Sequence, residues 1–157
     1  MNNPAPFWET VALPDMTAAQ WESLCDGCAL CCLQKLEDED NNEIYYTDVA
    51  CQLLDISSDD TNCRCKHYRH RAAHVEHCML LTPDNLGEAM RWLPDTCAYK
   101  RLAQQQPLPA WHPLLTGSRE SVHKAGISAR GRCVSELVVD ERNLDEHVVY
   151  WVAGFGE

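Results

Sequence analysis

Cys25-Asp26-Gly27-Cys28-Ala29-Leu30-Cys31-Cys32 places four thiols within eight residues, and the reading of the whole chain turns on this stretch. Packing does not account for such a density of sulfur. Zinc and iron–sulfur centres need several soft thiolates converging on one ion or cluster. A C-x-x-C spacing supplies two of them, because a tight turn or a helix start brings both sulfurs to one side. Here the spacing repeats and Cys32 follows directly. On a helix, at about 100° per residue, all four thiols fall within a sector of about 120°. In a turn-rich form they still lie close together. Adjacent cysteines need not serve the same ion, which leaves one of them for a second site or for none.

Working outward, Thr17-Ala18-Ala19-Gln20 matches a capping box. It predicts a helix carrying Trp21, Leu24, Cys25 and Cys28 on one face, with Gly27 as an early stop signal that would leave the cysteines at a helix end or in a turn. Downstream, Glu37 to Asp40 with Glu43 is an acidic run that lacks the alternation and glycine of a calcium loop and reads as a solvated loop. Ile44 to Thr47 reads as a strand, and Asp48 to Asp55 as a helix. Lys66 to Cys78 is helix-compatible, and Thr82-Pro83 is a helix start leading toward Leu93. A further helix is expected from Asp95 or Thr96 to Gln106. Leu108 to Ser118 reads as a packed irregular connection and Ile127 to Val139 as a strand or hairpin. Asn143 reads as the cap of a last short helix containing Val148, Tyr150 and Trp151. With no repeat or linker to divide it, the chain is expected to be one α+β domain over residues 1–157, mainly helical with a small β component and a cysteine-rich, metal-stabilised core.

Composition narrows the function classes. The chain has 157 residues, 24 acidic against 13 basic, for a net charge of −11. Such a chain repels phosphate backbones unless its basic residues cluster strongly, and only the short group Arg64, Lys66, Arg69 and Arg71 does so. Nucleic acid is therefore not an expected partner. No apolar run approaches the roughly 20 residues needed to span a bilayer, so no membrane partner is expected either. The segment from Met1 to Pro6 lacks the basic start and apolar stretch of a secretory signal, which points to the cytoplasm. Ten cysteines in a reducing compartment indicate metal ligation or thiol chemistry, whereas an oxidising compartment would bring disulfides back as a competitor.

Beyond the opening stretch stand Cys51, Cys63, Cys65, Cys78 and Cys97. Any one alone reads as a core thiol; together with the first four they read as a ligand set, enough for two four-thiolate sites or one multinuclear cluster. Other thiol chemistries fit less well. A thioredoxin-like pair calls for a βαβ pattern that is not evident. A ferredoxin run calls for a fourth cysteine separated from Cys31 by three residues and followed by proline. A zinc deaminase calls for P-C-x-x-C after His74-Val75-Glu76, and none is present. His67, His70, His74 and His77 recur at helical spacing but read as a solvated face interleaved with Arg69 and Arg71. His112, His123 and His147 are isolated and carry no signal.

Cys25-x-x-Cys28-x-x-Cys31-Cys32, Cys51, Cys63-x-Cys65-x-x-Tyr68-x-x-Arg71, Cys78 and Leu93-Pro94-x-Thr96-Cys97-x-Tyr99 together resemble the bacterial zinc- or iron-chelating CxxCxxCC family. The stretch from Leu108 to Ser118 resembles its YcgN-like branch in particular. The resemblance implies a metal role. More distant relatives include a flagellin lysine methylase, whose R-P and C-R pattern is not kept at Arg71-Ala72 and Cys78-Met79, so that activity does not carry over. Cys133 falls outside the pattern.

The expected function is therefore a cytosolic metal-binding protein holding zinc or iron, including the option of an iron–sulfur cluster. Its candidate ligands are Cys25, Cys28, Cys31, Cys32, Cys51, Cys63, Cys65, Cys78 and Cys97, with at least one a bystander. Tyr68, Arg71 and Tyr99 are candidate supporting donors around the ligands. The alternative is a metal-dependent modifying or redox enzyme using the same cluster. The sequence names no protein partner.

Overall fold

Ile44-Tyr45-Tyr46-Thr47 does form a strand, and it is the centre of the sheet. The computed structural model describes residues 4–51, 54–55, 64–65 and 81–155, with backbone only at 54–55 and 64–65. β1 (Leu33–Glu37) and β2 (Ile44–Ala50) make an antiparallel hairpin, with Glu37 opposite Ile44 and Lys35 opposite Tyr46. β5 (Val134–Ser135) runs parallel to β2, Val49 facing Val134. β6 (Val148–Val149) pairs antiparallel with β2, Tyr46 facing Val149, and completes a four-stranded sheet. A separate ribbon joins β3 (Leu54–Asp55) to β4 (Arg64–Cys65). The pairing of β1 and β2 shifts between Leu33 and Lys35. There the Thr47 hydroxyl donates to the Gln34 carbonyl at 2.7 Å, satisfying a group that the irregular ladder leaves over.

The helices are short: α1 (Phe7–Thr10), α2 (Ala18–Ser23), α3 (Leu86–Ala89), α4 (Ala98–Ala103), α5 (Pro113–Thr116) and α6 (Ser121–Lys124). Such lengths are marginal in isolation, so packing holds them. α2 starts with the expected capping box: the Gln20 amide donates to Thr17 Oγ1 at 3.1 Å, and the Thr17 amide to Gln20 Oε1 at 3.0 Å. Thr82 and Asn85 make the same reciprocal pair of bonds ahead of α3. The observed class is a mix of short helices and a small mixed sheet, coarser than the mainly helical, metal-stabilised body expected. Among the described residues no helix is long and apolar enough to cross a membrane.

Three local expectations are corrected. Residues 48–50 continue β2 instead of opening a helix, because Val49 and Ala50 are fully buried, Val49 paired with Val134 and Ala50 with both Leu33 and Ser135. Helix propensity is a weak preference that such pairing overrides. Within Ile127 to Val139 the strand is only Val134–Ser135, paired in parallel with β2, not a hairpin. Asp140, not Asn143, caps the last helical segment, a 3-10 stretch over Glu141–His147, and Val148 then leaves it to join the sheet. The expected helix over Lys66 to Cys78 and its histidine face lie outside the described residues.

Two apolar clusters form the core. One gathers Cys28, Leu30, Leu33, Tyr46, Ala50, Val122 and Val152 on the sheet. The other gathers Trp21, Leu24, Leu86, Leu93, Tyr99 and Leu108 around α2 and α4. The cysteine stretch joins them, since Leu24 belongs to one and Cys28 to the other.

The C-terminal segment is latched onto the approach to α4. The Asp95 amide donates to the Ala153 carbonyl at 3.0 Å, and Gly154 adopts φ +91 with the Asp95 carboxylate 2.7 Å from where a Cβ would sit. Gly87, in α3, has open space around it. Gly154→Ala is expected to destabilise the protein by about 1–3 kcal/mol. Gly87→Ala should stabilise it by about 0.5–1 kcal/mol. Urea unfolding of the two variants checks this; equal shifts would show that the latch does not constrain Gly154.

Candidate metal centre

α2 stops at Leu24, so the cysteine stretch is not helical and its four thiols do not form a helical stripe. The loop turns instead through two residues in the left-handed region, Gly27 at φ 81 and Ala29 at φ 63, before a 3-10 turn over Leu30–Cys32. Glycine takes that conformation without cost, whereas alanine does so only when its surroundings hold it there. The Cys28 carbonyl accepts from the Ala129 amide at 2.9 Å, and the Ala29 carbonyl from the Cys32 amide at 3.0 Å. Asp26 folds back so that its Oδ1 accepts the Cys28 amide at 3.0 Å.

This turn aims backbone amides at sulfur. The Gly27 N–H donates to Cys25 and the Leu30 N–H to Cys28, each from two residues further along. Cys97, at the N-cap of α4, receives the amides of Tyr99 and Lys100. Such bonds favour the thiolate over the thiol. Burial works against them. It carries the buried Cys28 well above the ordinary cysteine range and pushes the half-buried Cys97 thiol up to about 11, whereas the side chains of Cys25 and Cys31 are exposed to solvent. Negative neighbours add to the rise: Cys31 and Asp26 act on all three, and Cys97 acts on Cys25. These mutual effects place Cys25, Cys28, Cys31 and Cys97 in one neighbourhood, although Cys97 is remote from the loop in sequence.

Tertiary contacts bring Cys97 there. The Tyr99 hydroxyl donates to the Trp21 carbonyl at 2.7 Å, and the two rings pack at 4.6 Å. His112, fully buried, links to the Leu24 carbonyl through Nε2 at 2.7 Å. Its Nδ1 accepts the Leu114 amide at 3.0 Å, so the ring proton sits on Nε2 and that nitrogen donates. The end of α2, immediately before Cys25, is thus pinned by α4 and by the segment that starts α5.

Two further features border the loop. The Cys51 amide donates to the Cys32 carbonyl at 2.8 Å, making those cysteines backbone neighbours beyond the β1–β2 ladder. Lys35 reaches back from β1, donating to the carbonyls of Cys31 at 3.2 Å and Leu33 at 2.7 Å, with its ammonium 4.7 Å from the Tyr46 ring centroid. Burial lowers its proton affinity, and the thiols of Cys31, Cys32 and Cys28 oppose that.

Of the nine candidate ligands, the structure gathers Cys25, Cys28, Cys31 and Cys97 and sets Cys32 beside Cys51. Cys63 and Cys78 lie outside the described residues, as do Tyr68 and Arg71, and Cys65 is described in backbone only. Among the described residues no group of three or more Cys, His, Asp or Glu side chains is closed tightly enough to hold a metal ion. The donor chemistry nonetheless fits a thiophilic ion: clustered sulfurs supplied with amide donors, and a buried carboxylate among them. Cys133 stands elsewhere, facing Asp48 on β2. Sequence reasoning missed Asp26, Lys35 and His112. The Asp-Gly pair inside the motif signals an Asx turn, Lys35 is a lone cation between Cys32 and the acidic run, and His112 carries no local signal.

A tight loop and a distant helix start thus present soft donors in a cysteine-rich domain. Residues 24–98 match the CxxCxxCC family model, described as a "putative zinc- or iron-chelating domain". That span contains all nine candidate ligands and leaves out Cys133. The chain is 48% identical to the UPF0260 protein of Shewanella amazonensis over 145 residues, 92% of this chain and 94% of that one. It is 48% identical to the Marinobacter nauticus protein over 147 residues, 94% and 96% of the two chains. For Azotobacter vinelandii the figures are 49% over 145 residues, 92% and 94%. The chain belongs to the UPF0260 family. No solved structure matches it.

Proposed function

We propose that this protein is a cytoplasmic, single-domain metal-binding protein that holds zinc or iron, the latter as an ion or an iron–sulfur cluster, through its cysteines. In this reading Cys25, Cys28, Cys31 and Cys97 are one part of the ligand set, and Cys32 and Cys51 another. Cys63, Cys65 and Cys78 complete the candidate set. What supports the reading is the match of residues 24–98 to a zinc- or iron-chelating family model, together with the electrostatic influence that thiols from two distant segments, Cys25, Cys31 and Cys97, exert on one another. A core packed for its own sake has no need to aim N–H groups at thiols.

A bound ion would draw the thiols into thiolates, releasing protons, and would join the loop to α4 as one unit. Lys35 would offset part of the negative charge gathered there. Elemental analysis of the full chain purified without air tests the proposal, with metal counted per chain. A stoichiometric content of zinc or iron is expected. Its absence, together with unchanged stability in a strong chelator, would overturn the reading.

A further inference from the structure

Asp26 is the most unusual side chain in the loop. It is only 7% exposed, sits between Cys25 and Cys28, and uses one carboxylate oxygen, Oδ1, for the Cys28 amide. Its other oxygen, Oδ2, is buried and has no hydrogen-bond partner among the described residues, nor does any described Lys, Arg or His form an ion pair with it. Burying an anionic oxygen without a cation or donor is strongly unfavourable. The Asx turn needs only Oδ1, so a structural role leaves Oδ2 unexplained. The same carboxylate stands between Cys25 and Cys28 in the loop, and its charge raises the thiols of Cys28, Cys25 and Cys97.

We propose that Asp26 Oδ2 is an oxygen ligand of this centre, so that the metal is held by a mixed sulfur–oxygen set instead of by thiolates alone. The inference rests on the metal-binding reading above. A carboxylate bound to zinc stands at about 2.0–2.2 Å, against about 2.3 Å for a thiolate, so the two ligand types are separable by X-ray absorption. Through Oδ1 the same side chain holds the Cys28 amide, coupling the shape of the loop to occupancy of the site.

The test uses the full chain, stripped of metal under reductant and reloaded with cobalt(II) or zinc(II) alone. Asp26→Asn keeps a carbonyl oxygen for the Cys28 amide but removes the anionic ligand; Asp26→Cys replaces oxygen by sulfur. Asp26→Asn is expected to fold as the parent by circular dichroism and to bind cobalt about 100-fold more weakly, at or beyond the upper end of the effect of losing a supporting group alone. Asp26→Cys should restore binding, with one more sulfur and one fewer oxygen in the first shell by X-ray absorption. Parent-like affinity in Asp26→Asn, or an unchanged sulfur count in Asp26→Cys, would overturn the assignment while leaving a cysteine site standing. Parent protein that takes up no metal would instead overturn the metal-binding reading itself.

Discussion

Replacing Cys97 with alanine is expected to abolish stoichiometric metal binding, whereas replacing Cys133 with alanine should leave it intact. Cys97 is far from the C-x-x-C-x-x-C-C loop in sequence but shares its electrostatic environment, feeling both Cys31 and Asp26. Cys133 is a partly buried thiol packed against the sheet cluster, with Asp48 as its charged neighbour. As thiols in the amino-acid chain the two are equivalent. Only the first shares the electrostatic surroundings of the loop. Structural zinc supplies on the order of 10–16 kcal/mol of apparent binding free energy, comparable to the roughly 5–15 kcal/mol that holds a whole domain folded. Cys97→Ala should therefore lose metal and also most of the stabilisation that metal brings, read as a lower denaturant midpoint insensitive to chelator. Cys133→Ala should keep its metal and its chelator-sensitive midpoint. If both variants retain metal in full, Cys97 is not a ligand and the site closes elsewhere.

Removing the His112 side chain is expected to cost about 3–5 kcal/mol, the largest effect among residues outside the cysteine set. Its imidazole is wholly buried and makes two hydrogen bonds, to the Leu24 carbonyl and from the Leu114 amide. Alanine would leave both backbone groups without that partner and open a cavity between them. Each unsatisfied group costs about 1–3 kcal/mol. The damage falls at the residue preceding Cys25, so metal affinity should drop along with stability. His112→Gln, whose amide can donate to the Leu24 carbonyl, should recover part of both. Guanidinium unfolding and cobalt(II) titration measure the two effects. A loss below about 1 kcal/mol would mean that His112 is not the pin holding the end of α2.

Much of the local structure was legible in the chain. Thr17 and Gln20 form a capping box because hydroxyl and amide stand three residues apart, a relation complete within one helical turn. Ile44 to Thr47 forms a strand because its β-branched and aromatic side chains suit a half-buried pleated surface. The acidic run from Glu37 becomes the tip of the β1–β2 hairpin, where Asp38 and Asn41 accept amides from Asp40 and Glu43. Residues 48–50 and 148–149 read as helical in the chain alone because their strand partners lie far away in sequence. Asp48 Oδ1 accepts from His147 Nδ1 at 2.8 Å, and no periodicity within either segment announces that contact.

The candidate site divides the same way. The amino-acid sequence alone determined the donor types, because four thiols in eight residues are a property of the chain and are the kind of donor that suits a thiophilic ion. It also supplied the candidate ligands, since cysteines accumulate from Cys25 to Cys97 and then nearly cease. Only the tertiary structure decided which of them meet. Packing of Tyr99 on Trp21 brings Cys97 to the loop, the β1–β2 ladder sets Cys51 beside Cys32, and His112 fixes the point from which the loop departs. It alone also showed Asp26 buried with an unused oxygen. Spacing records which donors are present, but burial and distance arise from contacts between remote segments.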